Sequence, residues 1–143
     1  MKTILLLNLL WLVAVLASSP EENLNLETRG GDELFEGDMM FAPDQARGSV
    51  PGRLWPNGVF VYDIESSLSN EPRAMSVINS AMKALTTKTQ GCITFRKRQN
   101  DESAYASFFK GGGCYSYVGR TGRKQPISLA GGCWWHGTVV HEI

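Results

Sequence analysis

Apolar and polar positions change their rhythm several times along this 143-residue chain. An unbroken apolar run, Ile4 to Leu16 with only Asn8 inside it, follows Met1-Lys2 and precedes the small residues Ala17, Ser18 and Ser19. That order is the pattern of a secretory signal peptide, with cleavage expected after Ala17. The run is about thirteen residues, against about 20 for a membrane span. Leu54-Trp55-Pro56-Asn57-Gly58 reads as a turn, and Val59 to Ile64 as a β-branched and aromatic strand. From Glu71 to about Thr89, Ala74, Val77, Ile78, Ala81, Met82 and Leu85 recur at steps of three and four. They make one apolar helical stripe, with Arg73, Lys83 and Lys88 off it. Four shorter strands follow, starting at Cys92, Ala104, Tyr115 and Pro126, and a last helix begins near Trp135 or His136. The order predicts an α/β chain of α+β type: a twisted, mixed five-stranded sheet with one backing helix. The last helix is expected on the other face of the sheet.

Charge divides the chain. Residues 20–47 carry eight acidic side chains against Arg29 and Arg47, a net −6. Residues 48–143 carry eleven Lys and Arg against six Asp and Glu, a net +5. An acidic leader ahead of a basic body suits a segment that docks on its own domain; a solvated acidic tail has the same composition. The basic run Arg96-Lys97-Arg98 is only three residues long and reads as a solvated strand end rather than a nucleic-acid patch. Gly111-Gly112-Gly113 lacks the spacing and the Lys-Ser/Thr of a phosphate loop. Cys92, Cys114 and Cys133 are an odd number for an exported chain, which allows one bridge and leaves one thiol. No Cys pair has zinc-finger spacing.

The chain closes on Gly137-Thr138-Val139-Val140-His141-Glu142-Ile143. His-Glu opens the His-Glu-x-x-His helix of zinc proteases, where histidines at i and i+4 hold the metal and the glutamate acts as base. The second histidine would fall at position 145, beyond the given sequence. By itself the dipeptide carries little. His136 lies five residues before His141, about 140° round a helix, so the two do not share a metal.

Several blocks in order give the dipeptide a context: Phe35-Glu36-Gly37-Asp38, Leu54-Trp55-Pro56-Asn57-Gly58, Gly91-Cys92-Ile93-Thr94-Phe95, Gly113-Cys114-Tyr115-Ser116-Tyr117-Val118-Gly119-Arg120, and Gly132-Cys133 before His136 to Glu142. From about Phe35 onward they resemble the astacin family of secreted zinc endopeptidases. The resemblance implies a zincin-like N-terminal subdomain without its C-terminal partner. Its divisions would be a signal peptide over 1–17, a pro-segment over 18–47, and the first part of a protease domain over 48–143. It implies one Zn2+ per complete domain, with His141 as first ligand and Glu142 as general base. Asp38 would occupy the metal's open position in the latent form. Activation would follow cleavage by a trypsin-like protease between Arg47 and Gly48, with Arg29 as a second possible site. Cys114 and Cys133 would form a local bridge, and Cys92 would await a partner outside this sequence. Cys114, Tyr115, Ser116 and Tyr117 would be the edge strand that pairs with an extended substrate. Partners would be protein or peptide substrates, with no nucleic acid and, after signal cleavage, no membrane. Such an enzyme is secreted and hydrolyses peptide bonds by zinc-activated water. The competing expectation is a catalytically inactive secreted remnant or peptide-binding module, because one histidine falls short of a normal zinc site.

Overall fold

The computed structural model describes residues 27–29, 32–42 and 53–143. The signal sequence and the Arg47–Gly48 bond lie outside the described residues. Thr94 and Gly91 illustrate how local chemistry sets boundaries. The 17-residue helix α2 (Pro72–Lys88) ends in a cap in which Gly91 N donates to Thr86 O at 2.9 Å. Cys92 N then donates to Thr89 O, and Ile93 N to Thr89 Oγ1. These bonds draw Cys92 and Ile93 into the turn, so the next strand starts two residues later than their apolar character suggests.

Five strands form the body: β4 (Val59–Ile64), β5 (Thr94–Lys97), β6 (Ala106–Phe109), β7 (Cys114–Tyr117) and β8 (Gln125–Leu129). β4 pairs in parallel with β5 and β6, β6 pairs in parallel with β8, and β7 runs antiparallel to β8. The leader adds three short strands, β1 (Glu27–Arg29), β2 (Asp32–Phe35) and β3 (Met39–Met40). Among the described residues the sheet thus has eight strands rather than five, in the order β1-β2-β3-β7-β8-β6-β4-β5. A single helical turn, α1 (Ser66–Ser69), occupies the expected loop after β4 and buries Leu68.

Gly58 explains the Trp55-Pro56-Asn57-Gly58 turn. It sits at φ +68°, and a Cβ there would collide with the Cys92 carbonyl oxygen. The turn can approach the end of α2 only because this position carries no side chain.

Phe60, Ala106, Phe108, Ile127 and Leu129 form the floor of the core with Ala74, Ile78, Ala81 and Met82 of α2. Val139 of the last helix, α3 (His136–Glu142), belongs to the same cluster. α3 therefore packs beside α2, and the expectation that it covers the opposite face is corrected. Strand alternation gives the reason. The residues that alternate with the floor positions include the polar Asp63, Arg96, Ser107 and Ser128, and Val139 joins the face of Phe60, Ala106, Phe108, Ile127 and Leu129. Ser80 Oγ and His136 Nδ1, 3.3 Å apart, pin the start of α3 to α2.

Two of the three basic residues at the end of β5 are engaged locally. Arg96 holds Glu102 in two bonds of 2.6 and 2.9 Å, and this guanidinium keeps the Glu102 carboxyl down at about 2. Arg98 lies over the Tyr105 ring at 4.2 Å and donates to Glu102 O.

Candidate metal centre

The leader turn builds one side of the site. Phe35 pairs with Met39 across a three-residue loop in which Glu36 and Gly37 have φ of 54° and 89°. Gly37 supplies the left-handed conformation at little cost and brings the chain round so that Asp38 heads β3. β3 runs parallel to β7, with Met39 opposite Ser116 and Met40 opposite Tyr117. Ser116 N donates to Asp38 O at 2.9 Å, and Val118 N to Met40 O at 3.0 Å. The edge of β7 expected to receive an extended peptide is thus occupied by the chain's own leader.

α3 builds the other side. Its seven residues bury Val139 and Glu142 and leave the His141 ring largely exposed toward the leader. Cys114 and Cys133 are bridged, with Cα atoms 5.7 Å apart, which ties the start of β7 to the 3₁₀ turn ahead of α3. Ser128 Oγ donates to Gly113 O at 2.7 Å and fixes the same corner. Cys92 is a free, exposed thiol. Trp134 donates its indole N–H to Leu129 O and borders the core. Trp135 is 64% exposed beneath Arg73.

The two sides meet at His141. Its Nε2 lies 3.0 Å from Asp38 Oδ2. Ligand atoms of Asp38, His141 and Glu142 all fall within 4.8 Å of one another. One imidazole nitrogen and two carboxylate oxygens are donors of the kind zinc accepts, although a closed zinc site has four ligands. Glu142 is 3% exposed. Burial raises its pKa to about 7; the Ser116 hydroxyl and the charge of His141 pull it down, and Asp38 pushes it up. This group can therefore hold or release a proton near neutral pH.

Ser116 is the site residue that the sequence did not single out for its side chain. It was expected only as part of an edge strand, and its hydroxyl also acts on Glu142. A cavity of about 400 Å³ opens behind Glu142, walled by apolar residues that include Trp55, Phe60, Leu85 and Val140. A second, of about 450 Å³ beside Val59, Val61 and Arg96, touches none of the three donors.

Fold and donor set together are those of a metalloprotease-type domain. Residues 48–143 match the family profile described as Astacin, a family of peptidases. The chain belongs to the astacin family. It is 40% identical over 89 residues to zinc metalloproteinase nas-6 of Caenorhabditis elegans, an alignment covering 62% of this chain and 24% of that one. It is 39% identical over 120 residues to astacin-like metalloprotease toxin 1 of Loxosceles intermedia, covering 79% and 43%. Among solved structures it resembles high choriolytic enzyme 1, a hatching enzyme zinc-protease of the medaka fish Oryzias latipes. That match has TM-score 0.56 and 34% identity, covering 68% of this chain and 49% of the other. The chain thus spans less than half the length of these relatives.

Proposed function

We propose that this chain is the leader and first half of a secreted, zymogen-type zinc metalloendopeptidase. The observation that carries the reading is the Asp38–His141 contact, made by a leader strand that also fills the edge of β7. In the latent form Asp38 and His141 would both hold the metal. Bound zinc would supply Lewis acidity and a more acidic water. Glu142 would take the proton at its carboxylate and return it to the leaving amine. Ser116 N–H and Val118 N–H, freed of the leader, would hold an extended protein or peptide substrate as an added strand. A trypsin-like protease cutting after Arg47 would begin activation. Cys92 would pair with a cysteine of the second half.

The test joins residues 48–143 to the remaining half of an astacin-family domain and measures zinc-dependent hydrolysis of a protein substrate. Glu142→Gln is expected to lower the rate by about 10²–10⁴-fold with zinc retained. Full activity in that variant would remove Glu142 from its role. A zinc-loaded but inert parent would leave a peptide-binding module instead.

A further inference from the structure

The edge of β7 is not equally supported along its length. Ser116, one of the two donors proposed for an extended peptide, pairs with Ile127 of β8 inside the ladder. Val118, the other, lies two residues beyond that last pair. The sequence shows why the ladder stops there. Along β8 the backbone N–H groups alternate between the two neighbours. Gln125 N donates to Tyr105 O, just ahead of β6, and Ala130 N donates to Gly113 O, just ahead of β7. Pro126 falls on a position facing β7, and proline has no N–H to give. Gly119, at φ +71°, then takes the chain out of the extended conformation.

The Gln125 side chain supplies what the backbone lacks. The residue is 3% exposed. Its Nε2 donates to Gly119 O at 3.0 Å, and its Oε1 accepts from Thr121 N at 2.9 Å and from Thr121 Oγ1 at 3.2 Å. Three of the four hydrogen bonds open to an amide thus go to one turn. Among the described residues, residues 119–121 hydrogen-bond β8 only through this amide. The far side of the turn rests on the start of the body. Arg120 N donates to Arg53 O at 2.8 Å, and a Cβ on Gly119 would meet that carbonyl at 3.0 Å.

We infer that Gln125 is a positioning residue for substrate: its amide fixes the turn after Val118 and so aims the Val118 N–H at an extended peptide. Ser116 N–H takes its direction from the ladder and does not need the amide. Support is therefore graded along the edge, and loss of the amide weakens the Val118 contact while leaving the Ser116 contact intact. The inference rests on the proposed reading of β7 as the substrate edge.

Its test has two arms. Amide hydrogen exchange of the full chain, followed by NMR, reads the turn without reference to substrate. Gln125→Met keeps the length of the side chain and removes the amide. Val118 and Arg120 are expected to exchange at least about tenfold faster in it, with Ser116, Phe108 and Ile127 within about twofold of wild type. Thr121→Val removes only the hydroxyl arm; it should raise the same two amides by less, and it serves if Gln125→Met fails to fold. A rise shared by Ser116 and the core amides would overturn the inference and leave the proposed function standing, because a general loss of stability moves all of them. Residues 48–143 joined to the remaining half of the domain read the second arm. Gln125→Met is expected to raise KM for an extended peptide about threefold to tenfold, the worth of one hydrogen bond, with kcat within about twofold. An unchanged KM beside selective exchange would remove β7 as the substrate edge, and the substrate role of Gln125 with it.

Discussion

Glu142 sits where burial and neighbouring charge oppose each other, and its titration gives the first prediction. Its pKa is raised from 4.5 to about 7 by burial in the zinc-free chain. The folded form therefore binds the proton more tightly than the unfolded form. Stability is highest below the unfolded value and falls as pH rises from about 4.5 to about 7, then levels off. Glu142→Gln should abolish that slope in thermal melts recorded across this range. A wild-type melting temperature flat from pH 4.5 to 7 would contradict the assignment. At this scale the sequence was informative where a motif constrains geometry. Asp38 follows Phe35-Glu36-Gly37 because that loop turns the chain into β3, and His141-Glu142 opens a helix. Ser116 was opaque, because a serine in a strand shows nothing of the carboxylate that the fold brings to it.

Two elements carry the frame of the site. The Cys114–Cys133 bridge closes a 19-residue separation and holds β7 to the base of α3. Cys133→Ser should cost about 3 kcal/mol in chemical denaturation, on the chain-entropy account. An unchanged midpoint would mean that the hydrogen bonds at Gly113 suffice to hold this corner. Gly58→Ala should cost about 1–3 kcal/mol, since it adds left-handed strain to a backbone collision with Cys92. The same denaturation curve checks it. The long helix was legible because its apolar stripe is strictly periodic, and Ala74, Ile78, Ala81 and Met82 are indeed its buried residues. The leader strands were not. With two to four residues each, they have no periodicity of their own; β3 takes its register from β7, β2 from β3 and β1 from β2. The side of the sheet chosen by α3 was hidden for a related reason: it depends on which face of five separate strands is apolar.

At the scale of the whole molecule, the charge division has a structural counterpart. In the described part of the acidic leader, β3 pairs with β7 and the Asp38 carboxylate meets the His141 imidazole of the body. Among the described residues no helix is long and apolar enough to cross a membrane. Expressed with residues 1–17 intact, the chain should appear in the culture medium with Ser18 at its amino terminus, as amino-terminal sequencing would show. Retention in cells with Met1 in place would contradict the secretory reading. The central claim, that Asp38 and His141 share one metal position, is tested most directly by cobalt(II) titration of the purified chain, followed by its visible absorption. Wild type is predicted to bind one ion, weakly for want of further imidazoles; the bands should vanish in His141→Ala and weaken in Asp38→Ala. Bands of undiminished strength in His141→Ala would contradict the account.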